Sequence, residues 1–195
     1  MPTVTSLRVE RRDRVAVELD GSPWRLIPTE VVVRAGLAEG RSLDRGALRL
    51  LRRELRRAEA LGIAGRALRA RDLSERRLAD RLERAGVPPA AQEESLETLV
   101  RAGLVDDGRF SRNRAAALAG RGFGDAAIRQ DLAGQGVTSE LAEAALLELE
   151  PEAERARGLV ERRGPGPRTA RYLTAKGFGE DAIEAALDTS VANDP

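Results

Sequence analysis

Apolar and polar positions alternate along the first thirty residues of the chain. The apolar positions fall into three short runs, at Val4, Leu7 and Val9, at Val15, Val17 and Leu19, and at Trp24, Leu26 and Ile27. Such alternation is typical of strands that bury one face. Asp20-Gly21, between the second and third runs, is a strong signal for a two-residue hairpin turn. The pattern predicts a small antiparallel sheet, and we expect Trp24 to anchor its core because aromatic side chains are scarce.

The apolar spacing changes to the helical period after Pro28-Thr29. Residues 31–37 are expected to form one short helix that ends by Gly40. Asp44 is expected to cap a second helix, whose apolar positions recur three and four residues apart at Leu48, Leu51, Leu55, Ala58 and Leu61. Because glycine disfavours a helix interior, Gly62 is expected to break or kink this second helix.

From residue 65 onward, one helical register occurs three times without a gap. A Leu is followed by a second Leu, a Gly, an apolar residue and a third Leu at fixed spacing. The three sets are Leu68, Leu82, Gly86, Val87 and Leu96; Leu118, Leu132, Gly136, Val137 and Leu146; and Leu159, Leu173, Gly177, Phe178 and Leu187. Since glycine often ends a helix in the left-handed conformation, each set predicts a three-helix module with its middle helix ending at the Gly.

The sequence therefore predicts a mainly α fold, with three tandem three-helix repeats in an elongated array after a small N-terminal β-hairpin or sheet plus helices. Modules of about 40 residues bury little surface alone, so neighbours are expected to pack in series. The expected segments are an N-terminal β-strand-rich extension with a basic helix over residues 1–62, repeats over 63–107, 108–150 and 151–190, and a tail over 191–195.

Composition excludes most catalytic chemistry. The 195 residues include no Cys and no His, which removes disulfides, thiol nucleophiles, imidazole ligands and His-dependent triads. The turns at Gly122-Phe123-Gly124 and Gly177-Phe178-Gly179 only loosely imitate a dinucleotide motif, because neither follows a strand. Asp106-Asp107 is expected to cap a helix that begins near Arg109. We predict a protein that is not an enzyme and has no catalytic residue, cofactor or metal.

No apolar run is long enough to cross a bilayer, and the N-terminus lacks the apolar core of a signal peptide. These features predict a cytoplasmic protein without a membrane partner.

Basic residues are clustered although the net charge is only +1, from 33 basic and 32 acidic residues. Candidate contacts with an acidic partner are Arg109, Arg112, Arg114, Arg121, Arg129, Arg162, Arg163, Arg168, Arg171, Tyr172 and Lys176. A secondary basic face is expected on the helix after Asp44, at Arg49, Arg52, Arg53, Arg56 and Arg57, away from the Leu stripe. Like charges repel at i,i+4 spacing, which an acidic partner would relieve.

The pattern leaves other interpretations of these clusters open. Acids concentrate at residues 140–154 and 180–194, so the charges predict either one basic and one acidic face or a mixed solvated surface. All basic residues except Lys176 are Arg, a bias that a GC-rich coding sequence could produce by itself. Tyr172 could stack on a nucleobase or cover the core.

At this point the motifs resemble those of the RecX regulatory proteins. Residues 74–82, Ser-Glu-Arg-Arg-Leu-Ala-Asp-Arg-Leu, resemble the first-repeat helix of that family, although Arg77 stands where an acid is more usual. The stretch 103–110, Gly-Leu-Val-Asp-Asp-Gly-Arg-Phe, continues through Arg121-Gly122-Phe123-Gly124 to Gly136-Val137 and matches the most distinctive block, with Val105 in place of the usual aromatic. The resemblance covers about residues 65–188, and the N-terminal segment is similar to an extension found in some members.

This resemblance implies a non-enzymatic regulator of the RecA recombinase. It implies binding along the RecA filament on single-stranded DNA and inhibition of ATPase, coprotease and strand-exchange activities, with effects on recombination and DNA repair. The partners expected from it are RecA and its filament, with weak non-specific DNA binding, no membrane and a monomeric state.

Two alternatives to filament binding stay open at this stage. One is a stand-alone DNA-binding protein that uses a three-helix module as a helix-turn-helix reader. The other is a protein scaffold whose arginines reflect codon bias. The sequence does not decide between filament capping and groove binding, nor which repeats would contact RecA and which DNA.

Overall fold

The computed structural model describes residues 1–11 and 13–191. The predicted tail, residues 191–195, lies outside the described residues except for Val191. Three strands come first, β1 (Val4–Arg11), β2 (Arg14–Leu19) and β3 (Ser22–Pro28). The helices are α1 (Thr29–Arg34), α2 (Arg45–Ala70), α3 (Glu75–Arg84), α4 (Pro89–Arg101), α5 (Asp107–Gly120), α6 (Asp125–Gly134), α7 (Ser139–Leu147), α8 (Glu152–Arg163), α9 (Pro167–Ala175) and α10 (Glu180–Val191). The prediction of a mainly α fold with a small N-terminal sheet is confirmed.

The described residues divide into two compact units. Among the described residues, the first contains 1–11, 13–71 and 78–104, and the second contains 72–77 and 105–191. Helices α5 to α7 and α8 to α10 form two successive three-helix groups within the second unit. The predicted repeat boundaries stay predictions, and the one at residue 62 lies inside α2.

The sheet of the first unit is antiparallel in the order β1-β2-β3. Asp20 and Gly21 connect β2 to β3 with positive φ angles of 50° and 78°, as a two-residue turn of this hand requires. One face of the sheet packs with α1 and α2 around a core that contains Val4, Val15, Val17, Ile27, Val31, Leu43 and Leu51.

Trp24 does not anchor this core, and the prediction that it would is wrong. Val17 pairs with Arg25 and Glu18 pairs with Pro23, so Trp24 is an extra residue in a bulge of β3. A bulge interrupts the alternation of faces, and Trp24 is 40% exposed. Aliphatic side chains such as Ile27 and Leu43 supply the core volume instead.

Helix α1 is shorter and α2 is longer than expected. α1 ends at Arg34 rather than continuing to Leu37, because Gly36 adopts φ 60° and turns the chain there. α2 begins at the predicted cap, where Asp44 Oδ1 accepts a 2.7 Å bond from Ala47 N. It then continues for 26 residues through Gly62 without a break. A helical glycine costs about 1 kcal/mol, and burial of Ala60 and Ala64 on either side holds the helix in place.

The second unit has one apolar cluster for each three-helix group. Phe110, Ile128 and Leu132 belong to the first cluster, and Leu159, Leu173 and Phe178 belong to the second. Gly136 and Gly177 both have φ 82° directly after the middle helices, which confirms their predicted role in ending these helices.

Candidate binding surfaces

Arg57 is buried, which corrects its predicted place on the exposed face of α2. Only 8% of its side chain is exposed, and Nη1 lies 3.0 Å from Glu30 Oε1 while Nε lies 3.6 Å from Glu94 Oε1. The neighbouring Arg53 also pairs with Glu94, with Nη2 2.9 Å from Oε1. This hydrogen bond with Arg53 lowers the pKa of the Glu94 carboxyl. Arg53 and Arg57 therefore join α2 to α1 and α4.

The remaining members of the secondary basic face are exposed. Arg49, Arg52 and Arg56 form no ion pair among residues 1–11 and 13–191. The predicted face is thus reduced to three solvated guanidinium groups beside two that stabilise the fold. Their i,i+4 repulsion is relieved inside the molecule at Arg53 and Arg57 and not at the other three.

Two arginines predicted as contacts in the second repeat are paired within the unit. Arg114 binds both carboxylate oxygens of Asp131, at 2.6 and 2.8 Å, and Arg129 binds both oxygens of Glu143, at 2.6 and 3.0 Å. These bidentate bonds raise the pKa of both guanidinium groups and lower the pKa of both carboxyls. Their charges are neutralised where they stand.

Arg109 and Arg112 each take part in a long ion pair. Arg109 Nη2 lies 3.9 Å from Asp72 Oδ1, and Arg112 Nε lies 3.8 Å from Glu148 Oε2. Both side chains are nearly half exposed. Such exposed pairs contribute little to stability. Arg109 follows Asp106, whose side chain accepts a 2.9 Å bond from Arg109 N, so the predicted capping role of Asp106 is confirmed.

The basic residues of the third repeat have a different environment. Arg162, Arg168 and Arg171 are exposed and form no ion pair within the described part of the chain. Arg163 Cζ lies 3.8 Å from the centre of the Tyr172 ring. Tyr172 is half-buried and also packs against the apolar cluster of its repeat, so both of its predicted environments are partly realised.

Phe123 brings the second and third repeats together at this surface. Lys176 Nζ lies 4.2 Å from the centre of the Phe123 ring and 5.8 Å from that of Tyr172. Arg121 Cζ lies 5.6 Å from the Phe123 ring on the other side of the turn. Four of the predicted contact residues are therefore linked through two aromatic rings into one continuous surface feature.

Arg155 and Glu152 hold the two repeats together, although neither was predicted as a contact residue. Arg155 is 10% exposed, donates to Phe123 O at 3.0 Å and pairs with Asp125. Glu152 Oε1 accepts a 2.6 Å bond from Asp125 N, and its Oε2 accepts a 3.3 Å bond from Gly179 N. One carboxylate thus caps two helices, α6 and α10.

The two Gly-Phe-Gly turns contact each other directly. Gly124 N donates to Lys176 O at 2.9 Å, and Ala126 N donates to Gly177 O at 3.1 Å. A Cβ atom on Gly124 would lie 2.3 Å from Gly177 O, so only glycine fits there. These turns are therefore helix boundaries and also form the contact between two repeats, which the sequence did not reveal. The recurrence of Gly-Phe-Gly in both turns is the sequence signal that could have indicated this contact.

The same joint occurs once more in the second unit. Asp107 Oδ1 accepts a 2.8 Å bond from Glu75 N, as Glu152 does from Asp125. Ser74 Oγ donates to Gln135 O at 2.6 Å, next to the turn at Gly136, and also accepts from Arg77 N at 3.2 Å. Asp107 thus caps the start of α3 in the same way as Glu152 caps the start of α6.

No group of three or more potential metal ligands occurs among the described residues. Over the same residues, no helix is long and apolar enough to span a bilayer.

Comparison with known proteins identifies the family. A family model described as "RecX, second three-helix domain" matches residues 106–146. "Regulatory protein RecX" of Deinococcus radiodurans is 33% identical over 145 residues, which cover 69% of this chain and 70% of that protein. The protein of the same name from Stenotrophomonas maltophilia is 30% identical and is covered over 96% of its length, with 77% of this chain. The chain belongs to the RecX family.

Solved structures support the fold of this RecX-family chain. "Crystal structure of regulatory protein RecX" matches with a TM-score of 0.81 at 22% identity, over 96% of this chain and all of that one. "Crystal structure of RecX from Lactobacillus salivarius" matches with a TM-score of 0.64 at 17% identity, over 70% of this chain and 97% of that one. The resemblance read from the residues is confirmed, and the chain is a member of a family of regulatory proteins.

Proposed function

We propose that this RecX-family chain is a non-enzymatic regulator that binds RecA and the RecA filament on single-stranded DNA, and inhibits the recombinase, ATPase and coprotease activities. The observation that carries this proposal is the exposed basic surface of the third repeat in a chain whose relatives are named regulatory proteins. A RecA filament offers a repeating acidic ligand, its DNA strand. Tandem modules could contact it at several points, and weak contacts add through effective concentration.

The candidate contact residues differ in whether their charge is already paired with a carboxylate of the same chain. Arg114 and Arg129 are paired within the chain, so they have less charge to offer a partner. Arg112 has a long, exposed pair with Glu148 that a partner could displace, and Arg109 stays a candidate contact. The strongest candidates are Arg121, Arg162, Arg163, Arg168, Arg171, Tyr172 and Lys176, with Arg49, Arg52 and Arg56 as a second basic surface. We also propose that the protein acts in the cytoplasm as a monomer during recombination and DNA repair.

The test is RecA ATPase activity on single-stranded DNA with the purified protein added below the RecA concentration. We expect inhibition by the wild type and weakened inhibition by Arg168→Glu/Arg171→Glu. Arg129→Gln serves as the control. It removes one basic charge that is already paired with Glu143, so this variant should inhibit RecA as the wild type does. An ATPase rate that the wild type leaves unchanged would exclude the proposal.

The geometry gives little support to a stand-alone helix-turn-helix reader in the second repeat. Helix α7 has no basic residue, and the single arginine of α6, Arg129, is paired with Glu143. A reader of base edges needs several side chains that reach the groove. Tight, sequence-selective binding to duplex DNA without RecA would favour the reader over the filament regulator.

A further inference from the structure

The second unit contains a row of alternating cationic and aromatic side chains at its surface. In order, the row is Arg121, Phe123, Lys176, Tyr172 and Arg163, with distances from cation to ring centre of 5.6, 4.2, 5.8 and 3.8 Å. We call this row the cation-aromatic ladder. It runs from the end of α5 through the paired turns to the end of α8, so its members are fixed by the contact between two repeats.

The ladder lies in the most basic stretch of the chain. Residues 162–176 contain five cations, Arg162, Arg163, Arg168, Arg171 and Lys176, and no acid. Arg168, Tyr172 and Lys176 follow each other at i,i+4 spacing and therefore share one face of α9 and its C-cap. None of Arg162, Arg168 and Arg171 has an ion pair within residues 1–11 and 13–191. These charges are available to a polyanion.

The stacking of Arg163 distinguishes between kinds of polyanion. Its guanidinium carbon lies 3.8 Å from the centre of the Tyr172 ring, well within the range of a cation-π contact. Arg163 is exposed, so the side chain that covers the ring can also contact a ligand. A carboxylate binds a guanidinium through its N–H groups alone, whereas a nucleobase can also stack on guanidinium groups and aromatic rings.

The exposed contact of Arg163 with Tyr172 also favours a single strand over a duplex. Bases within a duplex are stacked on each other, and only an unpaired base can place its face against a protein group. A backbone that follows the same surface would place phosphates near Arg168 and Arg171, where counterion release contributes to binding.

We infer that the cation-aromatic ladder binds single-stranded nucleic acid, with a base stacked on Arg163 over Tyr172 and with phosphates at Arg162, Arg168 and Arg171. The inference rests on the proposed function, of which it is the DNA-contacting part. The contacts with RecA itself then lie elsewhere on the chain.

The test is fluorescence anisotropy of a labelled thirty-nucleotide oligo(dT) with the full chain and without RecA, at several salt concentrations. Arg163→Lys keeps the charge and removes the planar guanidinium group on which a base would stack, so we expect roughly a 5-fold to 10-fold loss of affinity. Arg168→Gln and Arg171→Gln should each weaken binding and lower the slope of log affinity against log salt by about 0.7. Arg129→Gln, the matched control, should bind as the wild type does. Circular dichroism at the assay temperature shows that each variant remains folded.

Several results would overturn the inference. They are no binding of oligo(dT) by the wild type at low salt, equal affinity of Arg163→Lys and the wild type, or equal affinity for oligo(dT) and a thirty-base-pair duplex. The double variant Arg168→Gln/Arg171→Gln gives a further outcome. If it loses RecA binding but keeps its affinity for oligo(dT), the basic surface around the ladder binds a protein partner instead. If RecA inhibition by the wild type persists in any of these cases, the proposed function stands and only the ladder assignment fails.

Discussion

The second and third repeats contain arginines in similar numbers but use them differently. In the second repeat, Arg114 and Arg129 each form a bidentate pair with a carboxylate from a neighbouring helix. In the third repeat, Arg168 and Arg171 face solvent without a pair in the described part of the chain. A bidentate pair orients a guanidinium and satisfies its donors, whereas an unpaired one keeps its charge for a ligand.

The difference shows that clustering along the sequence is a poor guide to available charge. Asp131 is 17 residues from Arg114 and Glu143 is 14 residues from Arg129, so the fold brings each acid to its arginine. Breaking the pairs should therefore change stability, while removing Arg168 or Arg171 should change binding alone.

The largest effect on stability is expected at Arg155. Arg155→Ala leaves Phe123 O and the Asp125 carboxylate without their buried donor, which should lower the free energy of unfolding by about 3 kcal/mol. Urea denaturation measures this loss. Arg162→Ala, on the same helix, is the control and should remain within about 0.5 kcal/mol of the wild type. Equal stability of the two variants would contradict the assigned role of Arg155.

A smaller loss is expected when the buried arginine of the first unit is removed. Arg57→Ala leaves the carboxylates of Glu30 and Glu94 without a shared partner, but Arg34 and Arg53 still pair with them. We expect a loss of about 2 kcal/mol in the free energy of unfolding by urea. Arg56→Ala, one position earlier and exposed, should change it by less than about 0.5 kcal/mol. A loss as small for Arg57→Ala would mean that the buried pairs do not stabilise α2.

Much of the fold could be predicted from local sequence. The Asp20-Gly21 turn, the Asp44 cap and the glycines after the middle helices all depend on the conformations of a few adjacent residues. The third basic stretch was also visible, because no acid interrupts it. These are the places where neighbouring residues decide the outcome.

The errors lie where distant residues decide. The bulge at Trp24 depends on the pairing of β2 with β3, and the burial of Arg57 depends on acids from α1 and α4. The role of Arg155 depends on a contact between two repeats that no local spacing encodes. Helical periodicity placed Arg57 opposite the Leu stripe, but a second element covers that side of α2.

The ion pair between Arg114 and Asp131 should make the stability of the fold depend on pH. The hydrogen bond from Arg114 lowers the pKa of the Asp131 carboxyl, so its stabilisation is complete above the ordinary value near pH 4 and is lost as the pH falls through the lowered pKa. Asp131→Asn should cost about 1 kcal/mol at pH 7, with a difference from the wild type that shrinks below about pH 4. Urea denaturation at pH 7 and at pH 3 measures both. A difference that is constant with pH would show that the charge of Asp131 is not the cause.

The smallest effect on stability is expected within the ladder itself. Arg163→Ala removes the cation over Tyr172 and should lower the free energy of unfolding by about 0.5 to 1 kcal/mol, the contribution of an exposed cation-π contact. Arg168→Ala removes the same charge where no ring lies beneath it and should have no measurable effect. Thermal melting of the two variants side by side resolves the difference. If both melt as the wild type does, the contact of Arg163 with Tyr172 adds nothing to stability.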